Sequence, residues 1–322
     1  MSPKISVVTP SYNQGRFLEQ CIRSVLDQNY PNLEYIIIDG ESSDNSVEII
    51  RKYQDKVSWW VSEPDLGQSD ALNKGFQRAT GQLVAWLNAD DFYLPDALQC
   101  VATVYHTHSD APFFFGNGLR VNAEGYPKSE FFPKNSLRFN IDALRFGLNY
   151  ILQPATFINR HSLNQVGSLS IDLHYGLDTD MWLRLSALGN PVPVPAKLAA
   201  SREYAATKSS TGSFTRVEEL RQIAQTHTGQ PITPGVLCYF LDTLYGLAQE
   251  QNDIFPPSYR REILRFWGKT SLIMDQFGAA PDGFPLPPAQ QHAMLHRIKR
   301  AGKVYLRNLV KGQGWFRWGN ER

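Results

Sequence analysis

An α/β fold with a mostly parallel, doubly wound sheet is predicted by three observations. Short apolar runs alternate with helix-period segments through the first third of the chain. One run, Tyr35 to Ile38, is nearly all apolar, as a parallel strand covered on both faces requires. Polar residues gather just after the runs, and ligands of open α/β sheets sit outside the carboxyl ends of the strands.

The elements come in order along the chain. "KISVVTPSYN" is a short β-rich run broken by Pro10. "GRFLEQCIRSVLDQN" has helical spacing, with Phe17, Leu18, Cys21, Ile22, Val25 and Leu26 on one broad face. "LEYIIIDGES" is the second strand, ended by Gly40, and "SSDNSVEIIRKY" is a helix with a serine or aspartate cap. Residues 57–62 form a third strand, "GQSDALNKGFQRAT" a third helix, and residues 83–87 a fourth strand.

Beyond this repeat, "FYLPDALQCVATVYHTH" reads as a helix from near Pro95, and "FFFGNGLRVNAEGY" as a strand and hairpin turning through Asn122 to Gly125. "YILQPATFINRHSLNQVG" has a strand-like core. "YGLDTDMWLRLSALG" is a helix with Met181, Trp182, Leu185 and Leu188 on its apolar face and Asp178 and Asp180 at its start. Residues 206–217, rich in Ser, Thr and Lys, read as a loop, and "VLCYFLDTLYGLAQE" as a helix. The proline-heavy stretches "FPPSYR" and "PDGFPLPPAQ" interrupt the chain beyond that helix.

The polar residues after the strands carry the chemistry. Thr9, Ser11, Asp39, Glu63, Asp65 and the pair Asp90/Asp91 deliver several carboxylates to one sheet edge, an acidic pocket that calls for a cation or a sugar. "LVAWLNADD" is the sharpest case, because adjacent carboxylates repel and cost desolvation if buried. Hard oxygen ligands favour Mg²⁺ or Mn²⁺ over zinc, and few protein ligands leave coordination positions for phosphate oxygens. A capping Asp beside a solvated one is the plainer alternative, and acids in the first turn of the 177–188 helix can be dipole complements.

Composition narrows the classes. The 322 residues are 42% hydrophobic with a net charge of +1, which argues against a global nucleic-acid footprint. Three separated cysteines without a CxxC imply no disulfide framework, and Cys21 and Cys100 read as buried filler. No zinc, P-loop or dinucleotide pattern occurs, and the missing GxGxxG weighs against a nicotinamide or flavin enzyme. The opening apolar run is too short for a signal peptide, and no apolar stretch is long enough to span a bilayer. A cytoplasmic protein, soluble or peripheral to the inner face of a membrane, is the expectation.

"ISVVTPSYNQGRFLEQCIRSVLDQNYPNLEYIIIDGESSDNS" and "SEPDLGQSDALNKGFQRATGQLVAWLNADD" resemble the inverting glycosyltransferases of family 2, which have the GT-A (nucleotide-diphospho-sugar transferase) fold. "GLDTDMWLRL" resembles the segment that supplies their base. The resemblance covers residues 4 to about 200. It implies that Thr9 and Asp39 meet the nucleotide, that Glu63 and Asp65 border the nucleoside, and that Asp70 and Lys74 support them from the following helix. It further implies that Asp90 reaches the ribose or donor sugar and that Asp91 ligates Mn²⁺ or Mg²⁺. Asp178 takes the register of the base although Leu177 replaces the usual preceding acid, and Asp180 is its rival. Arg184 is either structural or a diphosphate contact. Gln153 and Pro154 fall at a strand end on the presumed acceptor side, and His174 is a candidate acceptor contact.

The function implied is metal-dependent transfer of a sugar from a nucleoside-diphosphate-sugar, most commonly a UDP-sugar, to a hydroxyl of a glycan or lipid-linked acceptor by direct displacement. A catalytically inactive nucleotide-sugar-binding scaffold and a metal-dependent nucleotidyltransferase or hydrolase are the alternatives. The expected division is a catalytic domain over 1–205, with 1–115 the nucleotide-sugar half and 116–205 the acceptor and base half, then a mainly helical extension over 206–322. From Ala289 the chain carries eight Lys or Arg against one Glu, so this tail is +7 and the first 288 residues −6. Aromatics interleave with its bases, and residues 290–318 are a candidate peripheral membrane contact; nucleic acid is not an expected partner.

Overall fold

The structure, a computed structural model, describes residues 2–132, 137, 139–147, 149–250 and 256–276. It contains two compact units, Met1–Thr233 and Pro234–Arg322. The basic aromatic tail at 290–318 lies outside the described residues, so its expected membrane contact does too. No helix among the described residues is long and apolar enough to cross a membrane.

The first unit begins with the expected repeat. Strands β1 (Ile5–Ser11), β2 (Leu33–Asp39), β3 (Trp59–Ser62) and β4 (Leu83–Trp86) alternate with helices α1 (Gly15–Leu26), α2 (Ser46–Tyr53) and α3 (Gln68–Arg78). All four strands are parallel, in the order β3-β2-β1-β4. Strand order therefore reverses beside β1, and the connections after β1 and β4 part at their carboxyl ends to open a crevice. The buried face of α1 is that of the periodicity, including Phe17, Leu18, Cys21, Ile22 and Val25. Leu18, Cys21, Ile22 and Val25 join one core with Ile5, Val7, Ile37, Leu83 and Ala85.

The second half is mixed. The two-residue strand β5 (Phe92–Tyr93) precedes α4 (Ala97–Tyr105), and β6 (Phe113–Val121) turns into β7 (Pro127–Glu130). Gly125 at φ 87° donates its N–H to the Asn122 carbonyl at 2.9 Å in that turn, where the hairpin was predicted. The short helix α5 (Ile141–Arg145), β8 (Thr156–Asn159), α6 (Arg160–Val166), α7 (Leu177–Ser186) and β9 (Val192–Arg202) come next. Strand β8 joins β4 antiparallel, and the sheet continues β8-β6-β9-β5. The single turn α8 (Lys208–Thr211) and helix α9 (Ser213–Thr228) close the unit.

Three local expectations are adjusted, and one strand is added. Helix α4 starts at Ala97 rather than near Pro95, because Phe92–Tyr93 is drawn into the sheet by β9 and Asp96 takes a left-handed φ of 62°. Leu188 lies beyond the end of α7 and is 47% exposed. Residues 206–217 are partly helical, since α8 and the start of α9 fall within them. Strand β9 was not evident because Pro193 and Pro195 interrupt its pattern; its parallel pairing with β6 absorbs them through register shifts around Gly116 to Gly118.

The second unit pairs α10 (Pro234–Glu250), the helix read from its apolar spacing, with α11 (Pro257–Gln276), which begins directly on the second proline of "FPPSYR". A proline fits the first turn of a helix, where its missing N–H has no partner to lose.

Candidate functional site

A cleft of about 700 Å³ opens at the carboxyl ends of β1, β2 and β4. Its walls include Ser11 at the end of β1 and Tyr12 after it, Gly40 and Glu41 after β2, Asp65 and Gln68 before and in α3, Asn88 and Asp90 after β4, and His174, Tyr204 and Lys208 from later segments. Ser11 is 3% exposed, and its hydroxyl has no hydrogen-bond partner among the described residues. Gly40 has a steric reason to lack a side chain: a Cβ there would stand 2.5 Å from Asp65 Oδ2.

Asp39 ends β2 fully buried. Its carboxylate accepts from the Ser42 N–H at 2.9 Å, the Ser42 hydroxyl at 2.6 Å and the Ser62 hydroxyl at 2.7 Å, so it is held in one orientation behind the cleft wall. Thr9 is placed differently from the others. Its side chain turns into the core, where its hydroxyl lies 3.1 Å from Tyr35 Oη, and neighbours Pro10 and Ser11 face the cleft instead.

The loop before α3 is braced by charge. Lys74 Nζ lies 2.8 Å from Glu63 and 3.5 Å from Asp70, and donates to the Pro64 carbonyl at 3.1 Å. Asp70 accepts the Leu66 N–H at 3.1 Å, and Asp65 the Gly67 N–H at 2.8 Å. Of these four residues Asp65 lines the cleft; Glu63, Asp70 and Lys74 shape the loop that presents it.

The Asp90/Asp91 turn sits on β9. Asp91, 5% exposed, accepts the Arg202 N–H at 2.9 Å, while Asp90 lines the cleft and accepts from Tyr204 Oη at 3.0 Å. The Arg202 guanidinium donates to the carbonyls of Asp90 at 2.6 Å and Ala123 at 3.1 Å and to Gln20 Oε1, and lies over the rings of Phe17 and Phe92. Burial pushes both carboxyls above the usual range, and for Asp91 the Asp90 charge adds to it. Arg202 opposes the rise without cancelling it. The pair therefore remains short of positive charge, and its all-oxygen donor set fits Mg²⁺ or Mn²⁺ held by one or two carboxylates with other positions left open. No group of three or more His, Cys, Asp or Glu that would hold a metal by itself occurs among the described residues.

The two acids of α7 have different surroundings. Asp180 is occupied: Arg184 Nε donates to it at 2.8 Å, and His227 Nε2 of α9 lies 2.8 Å away. Burial would raise its pKa, but the His227 and Arg184 contacts outweigh that and hold it low. Arg184 also bonds the Val166 and Gly167 carbonyls, which gives it a structural job. Asp178 is oriented by neutral donors, Asn149 Nδ2 and its neighbour's N–H, each at 2.7 Å. Burial pushes its pKa up, in the direction a general base needs.

Several contributors were not singled out from sequence. Arg202, Tyr204 and Lys208 end or follow a strand hidden by prolines, and Asn149 and Gln68 carry no motif of their own. Lys208 donates to Gln68 Oε1 at 2.8 Å, and Gln68 Nε2 in turn to Asn88 Oδ1 at 2.7 Å. Burial pushes Lys208 down to about 8, opposed by Glu219 and Asp178. Gln153 supports the carboxylate turn by donating to the Trp86 carbonyl at 2.8 Å and accepting from Asn88 at 3.1 Å.

Comparison with known proteins agrees with this architecture. The family model described as "Glycosyl transferase family 2" matches residues 6–166. The chain is 39% identical over 107 residues to the uncharacterized glycosyltransferase alr2836 of Nostoc, a match covering 32% of this chain and 33% of that protein. It is 33% identical over 192 residues to the putative teichuronic acid biosynthesis glycosyltransferase TuaG of Bacillus subtilis, covering 58% and 73%. Among solved structures, S. aureus TarS 1-349 in complex with UDP-GlcNAc aligns with a TM-score of 0.57 at 17% identity, covering 97% of this chain and 93% of that one. The mannosyltransferase PcManGT from Pyrobaculum calidifontis, in complex with GDP-Man and Mn²⁺, aligns with a TM-score of 0.51 at 18% identity, covering 98% and 88%. At these identities the structural likeness is one of fold. The chain belongs to glycosyl transferase family 2 and has the GT-A fold.

Proposed function

We propose that the protein transfers a sugar from a nucleoside-diphosphate-sugar, a UDP-sugar first among them, to a hydroxyl of a glycan or lipid-linked acceptor with inversion at the anomeric carbon. The observation that carries this reading is the switch-point cleft walled by Asp65, Asp90 and Lys208, with Asp91 buried beside Asp90 and short of positive charge. The TarS and PcManGT complexes support nucleotide sugars as ligands of this fold.

In this reading Asp39, Asp65 and the Ser11 hydroxyl orient the nucleoside, and Thr9 supports that wall from the core. Asp91, with Asp90 beside it on the donor-sugar side, would hold a divalent ion, which when bound would neutralise charge on the departing diphosphate. Lys208 adds a second positive charge beside the leaving group. An acceptor hydroxyl is a poor nucleophile, so Asp178, oriented by Asn149, takes its proton as the oxygen attacks opposite the diphosphate. Asp180 is committed to Arg184 and His227 and is assigned to stability. One displacement needs no protein nucleophile.

A panel of nucleotide sugars with Mn²⁺ or Mg²⁺, reading both binding and release of nucleoside diphosphate, tests this. One preferred donor is expected, with turnover lost in Asp91→Ala. Donor binding by the wild type with no release in the presence of any acceptor class would favour the inactive scaffold, and release of a monophosphate would favour the nucleotidyltransferase or hydrolase alternative.

A further inference from the structure

Helix α9 carries a carboxylate whose partners lie at the start of another helix. Glu219, 8% exposed, accepts the His174 N–H at 3.0 Å on each oxygen, the Tyr175 N–H at 2.6 Å and the Gly176 N–H at 3.1 Å. These are the peptide groups leading into α7, where an anion complements the helix dipole. The N-cap of α7 is Gly176, which has no side chain to serve as a local cap. A Cβ on Gly176 would stand 2.4 Å from Ile223 Cδ1, so α9 lies directly against this backbone. Asp178 is two residues further on.

Burying a carboxylate is costly, and a helix start can be capped by a Ser, Asn or Asp on the spot. Glu219 reaches this one from 43 residues away, and it also acts on Lys208. The groups that face Lys208 are Gln68 from α3, Asp178 from α7, His174 from the segment before α7, and Glu219 from α9. Asp178 and Glu219 bring negative charge to it, and Gln68 Oε1 accepts its hydrogen bond.

We propose that Glu219 is a positioning residue for transfer: its carboxylate fixes the start of α7, and with it Asp178. The inference rests on the role given to Asp178 above. Glu219 lies outside the residues matched by the family model.

Glu219→Gln keeps the reach and removes the charge; Glu219→Asp keeps the charge and shortens the reach. Two measurements need no substrate. Titration of the Lys208 side chain by NMR, assigned through Lys208→Arg, should show a midpoint near 8 in the wild type that falls in Glu219→Gln and is retained in Glu219→Asp. Amide exchange at residues 174–176 should accelerate by about tenfold or more in both variants, as expected for loss of charge-assisted hydrogen bonds. In kinetics, Glu219→Gln should lower kcat more than it raises donor KM and move the alkaline limb to lower pH. Glu219→Gln/Lys208→Arg should abolish that limb, because guanidinium does not titrate there. A folded Glu219→Gln protein with wild-type exchange at residues 174–176 overturns the proposal. If Glu219→Gln does not fold, unchanged exchange in Glu219→Asp does the same. Expected titration and exchange in a protein that turns over no donor would instead overturn the transferase reading and leave the positioning role standing.

Discussion

Glu34 and the Asp90/Asp91 pair, at opposite ends of the parallel strands, are handled in opposite ways. At the amino end, Glu34 at the start of β2 accepts from Lys4 Nζ at 2.8 Å, the Ser6 hydroxyl at 2.5 Å, and the Thr80 N–H and hydroxyl, both at 2.7 Å. Burial alone would raise its pKa, but these four donors bring it down to about 2. At the carboxyl end, Asp90 and Asp91 have fewer donors and each other's charge, and both are pushed up. The first is a carboxylate whose partners the protein supplies in full. The second is built with a deficit that a ligand can fill.

The contrast between the two ends breaks most severely at Asp91. Asp91→Asn should lower metal-supported turnover by about a hundredfold or more. Measured in chelator, the same variant should melt at a higher temperature than the wild type, because a disfavoured buried charge is gone. For the native pair, folded pKa values above the ordinary 3.8 mean a cost to stability fully present above those folded values. Metal-free stability should therefore rise as pH falls through them toward 3.8. A chelated Asp91→Asn protein that melts below the wild type would place the pair with Glu34 as structural.

The two acids of α7 sharpen the same contrast within one turn. Asp178→Asn should cut kcat by about a hundredfold or more while donor binding by calorimetry is retained. Asp180→Asn should instead destabilise by about 2 kcal/mol in urea titration, since it leaves Arg184 and His227 without their anion. An inactive but stable Asp180→Asn would exchange their assignments.

Glu34→Gln should cost about 1–2 kcal/mol at neutral pH with kcat unchanged. In the wild type this contribution is complete above the ordinary glutamate value of 4.5 and is lost as pH falls toward about 2. Urea midpoints taken through that window should fall in the wild type and stay flatter in the variant. The smallest effect belongs to Lys74→Met, whose lost contacts to Glu63 and Asp70 are partly exposed. It should raise donor KM about twofold to fivefold at constant kcat, as loss of an exposed brace of under about 1 kcal/mol does.

Much of this molecule was legible because the signals are local. The apolar runs and helical spacing through residue 87 predicted four strands and three helices, and the residues after the strands predicted which edge would be acidic. Asp65 and Asp90 needed only their place after a strand to reach the cleft, while Asp39 ends its strand buried behind the cleft wall. The distinction between Asp178 and Asp180 was not legible, since both occupy the first turn of α7 and differ only in what α9 and Asn149 bring to them. Thr9 shows the limit from the other side: it lies near the end of the right strand, but its hydroxyl is turned to the core, where Tyr35 meets it, while the residues just after it reach the cleft wall.

The sequence by itself determined the parallel half of the sheet, the acidic edge and the charge conflict at Asp90/Asp91, because hydrophobic period and adjacency of like charges act over a few residues. The partners of those charges were decided only by the tertiary structure. Arg202 lies 111 residues from Asp91, and Glu219 lies 43 to 45 residues from the N–H groups it accepts. Neither has a period or a neighbour to betray it, since the partner of a buried charge is whatever side chain or peptide group the sheet order and the packing of α9 set beside it.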